Sequence, residues 1–348
     1  MRSVRFGSML SGDLDSRIRT AELAEKHGFD SVWSGDHLTF WYPDAIYPET
    51  WSTLLAAGMH TRRVSLGSSV VDPFRRHPSL LAQTVASVDR FTHGRTILGM
   101  GAGEPMNNIP FGIKWEKPAK RLREAIEVIK CLWKSSPKGP VNYDGEFFKL
   151  INAYLMITPK RKPHPPFYVS SSARLTRKIV AEMADGWIAH IHSPETFEED
   201  LQEIENNAKL VGRNPAEIDK VAFLITSLST DEESGFKSVR IPVGMELLLA
   251  QNILKRTGFL PINVPGLLDL RKFTASPKEN KAIWKFAEKI DRRIIEQTSL
   301  FGTTDKCVET IEKFEKAGAT HVELAFVNKN LDETFRLFEE KIIPHFDQ

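Results

Sequence analysis

Short apolar runs that alternate with longer stretches of helical period constrain this chain more than any other feature. Residues 4–10, 30–34, 64–71, 96–100, 167–171, 186–191, 221–227 and 321–327 each read as a strand, and a helical segment follows each one. The first helix, 14–27, turns Ile18, Ala21, Leu23 and Ala24 to one face. A strand that is always followed by a helix implies parallel pairing, because each crossover must cover the sheet. Eight strands favour a closed ring over an open doubly wound sheet, and no GxGxxG opens the first strand–helix turn. The expected fold class is therefore α/β, a (β/α)8 TIM barrel with insertions. The length of 348 residues suits one such domain over 1–348, since the barrel itself needs ~250.

Three stretches break the rhythm and are expected as insertions: 103–118, 138–166 and 240–282. The second should hold a hairpin over 141–150 around Asp144-Gly145. The third should hold an apolar helix over 243–254, then a segment rich in proline and glycine. Long irregular insertions in a compact domain usually act as lids or binding loops. Substrate contacts are thus expected from 42–48, 112–118 and 240–282.

Composition removes several function classes. A net charge of +2 argues against a dedicated nucleic-acid binder. Two cysteines, Cys131 and Cys307, exclude a disulfide scaffold and a four-thiolate zinc site. The ten histidines show no HExxH spacing, so no metal site is expected. No apolar run approaches the ~20 residues of a membrane span, and the opening residues do not read as a secretory signal. A cytoplasmic protein with a small-molecule substrate is the expectation, with no nucleic-acid or membrane partner.

Barrel active sites sit where strands end, so chemistry is expected at the strand tips. The second strand ends in Ser34-Gly35-Asp36-His37 with Trp41 following. His37 is placed to move a proton, or else is a structural histidine with Trp41 as a loop anchor. The fourth strand runs into Gly99-Met100-Gly101-Ala102-Gly103-Glu104, with Asn107 beyond. Alternate glycines suggest close approach by a ligand or a partner chain, and Glu104 either enters a site or lies on a surface turn. Arg75 and Arg76 read as an anion site or, more simply, as a solvated turn paired with Asp72. Ser170, Ser171 and Ser172 open a helix, as a phosphate cradle or as an ordinary serine cap.

These motifs together resemble the luciferase-like superfamily, in its branch that uses the deazaflavin coenzyme F420. The resemblance spans nearly the whole chain and rests on AEKHGFDSVW…DHLTFW, SSVVDPFRRHPSLLAQTVASVDRFTHGR and GMGAGEPMNNIPFG. It implies coenzyme F420 as cofactor, with FMN the alternative, and a homodimer. It also implies a cis Ser69–Val70 peptide behind the deazaflavin ring. Asp36, His37, Ala102, Gly103, Glu104 and Asn107 would lie around the ring, and Ser170–Ser172 at the phosphate. DHxxxW is similar to dehydrogenases of secondary alcohols and sugar phosphates. In these, His37 would take the hydroxyl proton, Trp41 would shape the pocket and Glu104 would serve the ring. A carboxylate ending the first strand belongs to that pattern, and here it is Asp13 where the relatives have Glu. A sugar phosphate would need a basic cluster, with Lys255, Arg256, Arg271 and Lys272 available. The other readings are methylenetetrahydromethanopterin reductase, which GIKWEKP (112–118) resembles, an FMN-dependent monooxygenase, and a binding protein without turnover.

Overall fold

The computed structural model describes residues 2–42, 45–256 and 272–347. Eight parallel strands form a ring: β1 (Arg5–Met9), β2 (Ser31–Ser34), β3 (Ser65–Ser68), β4 (Thr96–Met100), β7 (Phe167–Ser170), β8 (Gly186–His190), β9 (Asp219–Leu228) and β11 (His321–Phe326). The ring closes because β8 pairs with β9, β9 with β11, and β11 with β1. The eight expected strands are these eight: β4 keeps its expected bounds, β9 runs longer, to ten residues, and the other six are shorter by one to four. The longest trim is at β3. There the ladder ends at Ser68, the Ser69–Val70 peptide is cis, and Val71 keeps one bridge to Met100.

A ninth parallel strand, β10 (Ser299–Gly302), was not expected, since four residues carry no readable period. Ile225 and Thr226 pair with both β10 and β11, so β10 borders the edge of β9 that β8 covers lower down. The hairpin of β5 (Val141–Asp144) and β6 (Lys149–Ala153) turns at Gly145, whose N–H donates to the Phe148 carbonyl.

The crossover helices have the expected amphipathic form. In α1 (Leu14–Lys26), Asp13 caps the start and accepts from the Ser16 N–H at 2.9 Å. Then come α2 (Thr50–His60), α3 (Pro78–Phe91), α4 (Pro118–Lys134), α5 (Arg174–Met183) and α6 (Pro194–Leu210). Proline starts three of them, where its missing N–H costs nothing. One apolar layer, including Val32, Leu66, Leu98, Val85 and Ile129, lies between the strands and this helical coat.

The third insertion departs from expectation. A single helix, α7 (Glu232–Leu249), starts at the Asp231 cap and carries Pro242 inside it. α8 (Gln251–Arg256), α9 (Pro277–Ala287) and α10 (Arg292–Gln297) follow. Residues 257–271 fall outside the described residues, Arg271 among them. A second apolar cluster joins the barrel interior to this insertion, with Trp33, Tyr168, Ile188 and Phe223 below and Val243, Leu247, Phe273 and Ile283 above. α11 (Thr304–Lys316) and α12 (Leu331–Leu337) complete the coat. Among the described residues, no helix is long and apolar enough to cross a membrane.

Candidate active site

The strand tips and the third insertion enclose a cavity of about 1930 Å³. Single-ligand pockets run to roughly 1,000 Å³, so this one has room for a cofactor together with a substrate. Its walls include Asp36, His37, Trp41, Ser69, Val70, Ala102, Gly103, Glu104, Asn107, Ser170 and Ser172. Asp13 and Ser171 are not among the lining residues. Asp13 is exposed and spends its carboxylate on capping α1, so the expected catalytic role has no geometric support there. The Ser171 hydroxyl turns inward to Thr176 at 2.6 Å.

Asn107 organises the reactive cluster. Its Oδ1 accepts from the Leu38 and Thr39 N–H groups at 2.7 and 3.1 Å, which settles the orientation of its amide. Its Nδ2 then donates to Glu104 Oε2 at 3.0 Å and to His37 Nδ1 at 3.1 Å. Because Nδ1 accepts, the proton of a neutral His37 belongs on Nε2, which has no partner among the described residues. Burial, with Arg75, His190 and Arg17 nearby, lowers the His37 pKa to about 3. Enclosure by the cavity walls, away from bulk water, and the charge of Glu246 raise the Glu104 pKa to about 7 against the opposing Asn107 bond. Near neutral pH the imidazole is therefore uncharged, while the neighbouring carboxyl is close to its midpoint. His37 and Glu104 lie 3.6 Å apart, too far for a direct hydrogen bond, so Asn107 is the link.

Behind His37 stands a buried ion-pair network. Asp36 accepts from Arg75 at 2.7 Å and from Arg76 at 2.6 Å, Arg75 reaches Asp72 at 2.6 Å, and Arg76 reaches Glu49 at 2.6 Å. The arginines pair with acids, as the simpler sequence reading had it. Their turn is buried rather than solvated, with 8% of the Arg75 side chain exposed. The glycines of β4 mostly accommodate the neighbouring strand. A Cβ on Gly99 would strike the Ser68 carbonyl, and one on Gly101 would lie 2.7 Å from Val70. Gly103 differs, with φ of +76° turning the chain toward Glu104.

At the opposite lip, α5 begins at Ala173, where no side chain caps the helix. Its first N–H groups thus have no side-chain acceptor, and Ser170, Ser172, Ala173 and Thr176 line the cavity beside them.

The structure also places residues here that the sequence did not single out. His190 Nε2 meets Glu246 Oε2 at 2.8 Å. Burial disfavours the charged imidazole, but Glu246, with Glu104 and Glu323 nearby, raises the His190 pKa overall. A strand tip could have flagged His190, whereas Glu246 lies 56 residues away on α7. Glu323 on β11 is fully buried below the cavity, with neither carboxyl oxygen hydrogen-bonded. Burial pushes its pKa up to about 7. Phe40 joins the expected Trp41, and Tyr42 and Tyr47 of the expected 42–48 loop, in an aromatic wall beside His37, and Trp284 meets Tyr42 edge-on at 6.1 Å.

Of the expected basic cluster, the three members among the described residues do not come to the site; Arg271 lies outside the described residues. Arg256 pairs with Glu199 and Asp200 at 2.7 and 2.8 Å, and neither it nor Lys255 nor Lys272 lines the cavity. Lys281 and Lys285 on α9 line it instead.

A family model described as luciferase-like monooxygenase matches residues 3–321. A 5,10-methylenetetrahydromethanopterin reductase from Archaeoglobus fulgidus is 29% identical over 93% of this chain and 93% of its own length. An F420-dependent glucose-6-phosphate dehydrogenase from Microbacterium testaceum is 27% identical over 98% and 97%. The solved structure of an F420-dependent secondary alcohol dehydrogenase in complex with an F420–acetone adduct matches with a TM-score of 0.85. That match has 25% identity and covers both chains in full.

Proposed function

The chain belongs to the luciferase-like monooxygenase family, and we propose that it is a coenzyme F420-dependent oxidoreductase acting on a small alcohol or carbonyl compound. The observation that carries this reading is the His37–Asn107–Glu104 cluster on the wall of a cavity large enough for cofactor and substrate together. Relatives named for F420 chemistry with an alcohol and with a sugar phosphate support it.

The residues fit the cofactor. The uncapped start of α5 with Ser170 and Ser172 would take its phosphate, and Val70, Gly103, Glu104 and Asn107 would border its ring. Bound there, the deazaflavin supplies a two-electron hydride carrier. The protein supplies placement and proton handling. With its proton on Nε2, neutral His37 donates a hydrogen bond to a substrate oxygen, which suits reduction of a carbonyl. The reverse reaction would need the other tautomer, because the base that takes a hydroxyl proton must present a bare nitrogen. Glu104, near its midpoint at neutral pH, can give or take a proton beside the ring. Asp36 acts through Arg75 and Arg76 to hold the loop that carries His37.

Titrating the purified protein with F420 should show micromolar binding by quenching of cofactor fluorescence. Tight binding of FMN with none of F420 would favour the monooxygenase reading instead. The 29% identical reductase favours a second reading, reduction of a methylene-pterin carrier. A screen of ketones, sugar phosphates and pterin carriers, following deazaflavin absorbance, separates the two.

A further inference from the structure

Tyr47 lies in the loop between β2 and α2, and its ring stands 4.8 Å from the His37 imidazole, edge-on at 71°. Gly35 lies beside both rings: a Cβ there would be 3.4 Å from His37 Cδ2 and 3.4 Å from Tyr47 Cε1, in ordinary contact with each. Tyr47 lines the cavity, and its hydroxyl has no hydrogen-bond partner among the described residues. Arg17 lies over the same ring, its guanidinium carbon 5.4 Å from the ring centroid. Arg17 is 1% exposed and has no carboxylate partner among the described residues. Two backbone carbonyls hold it, those of Gly12 and Ile46, each at 2.9 Å. An unneutralised cation buried against an aromatic ring is costly, and it favours negative charge on that ring.

We propose that the Tyr47 hydroxyl and His37 Nε2–H form a donor pair for one substrate oxygen, with Tyr47 as the general acid and the substrate a ketone or aldehyde. This rests on the F420 reading above and sharpens it, because an iminium carbon of a pterin carrier presents no oxygen to such a pair. The carbonyl carbon takes a hydride, and with it two electrons, from the reduced deazaflavin. The C=O π pair moves onto oxygen, and the phenol proton passes to that oxygen to give the alcohol. The phenolate that remains is stabilised by Arg17 and regains a proton from water entering the cavity. A phenol is a stronger acid than an alkanol, so the transfer runs in the favourable direction. Neutral imidazole is too weak an acid to lose its Nε2 proton and polarises the oxygen instead. Arg17 is a positioning residue in this scheme, acting only through Tyr47. Burial, and after it the charges of Glu246 and Glu104, hold the Tyr47 phenol above its ordinary range, and Arg17 offsets part of that rise.

The test is ketone reduction by reduced F420 in four proteins: the wild type, Tyr47→Phe, Arg17→Met and the double variant. Tyr47→Phe should lower kcat by about 100-fold, with KM within about threefold and F420 affinity unchanged. Arg17→Met should lower kcat about tenfold alone and have no further effect in the Tyr47→Phe background, since phenylalanine has no phenolate to stabilise. Three results overturn the proposal while leaving F420 use intact. These are a Tyr47→Phe enzyme within threefold of wild type, equal Arg17→Met losses in both backgrounds, and turnover of a methylene-pterin carrier but no ketone. Wild-type protein that binds no F420 overturns the parent reading and this one with it.

Discussion

The cavity has two walls of opposite character. The β2–β4 wall carries its charges paired and its donors oriented: Asp36 between Arg75 and Arg76, and Asn107 held by two backbone N–H groups. The wall from α7 to α9 presents Trp284, Lys281 and Lys285 to the cavity, and ion pairs of Glu246 with His190 and of Arg256 with Glu199 and Asp200 tie it to the barrel and its helical coat. A site that must hold reacting atoms within a few tenths of an ångström needs the first kind of wall. A site that must admit one substrate and refuse others can be built from the second, by shape and exposed contact. The contrast assigns chemistry to the barrel and selectivity to the insertion.

The sharpest way to break that assignment is His37→Ala, which should lower kcat by ~10²–10⁴ while F420 binding persists. Steady-state turnover and a cofactor titration on the same preparation check it, and unchanged turnover would remove His37 from the chemistry. Next is Asp36→Ala, which leaves Arg75 without its partner on the His37 loop and Arg76 with Glu49 alone. Breaking a buried pair from one side costs about 3–5 kcal/mol, so denaturant unfolding should show a loss of that order. A loss below 1 kcal/mol would mean that the wall is not built on this network. The smallest effect belongs to the other wall. Trp284→Ala should raise KM about tenfold, the value of one aromatic contact of ~1.5 kcal/mol, and leave kcat within threefold. A kcat loss comparable to that of His37→Ala would erase the distinction between the walls.

Much of the first wall was legible in advance, and little of the second. His37, Glu104 and Asn107 stand within a few residues of strand ends, and barrel geometry makes a strand end a place where side chains meet. The apolar period that revealed the strands thus also pointed to those residues. Asp13 shows the limit of that rule, since a carboxylate near a strand end can as easily cap the next helix. Lys255 and Arg256 failed for a different reason. A basic run does not say which acid will reach it, and Glu199 and Asp200 from α6 reached Arg256 first.

By itself, the sequence determined the barrel, because alternating strand and helix periods with short connections leave parallel closure as the arrangement that buries every apolar face. It also determined which loops would be long enough to enclose a site. Only the tertiary structure decided the proton positions and the pairings across the cavity. The His37 tautomer follows from Asn107, 70 residues away, and the charge beside Tyr47 follows from Arg17 on α1. Such contacts depend on distances between segments that no local pattern encodes, and charge interactions in a buried cavity change steeply with those distances.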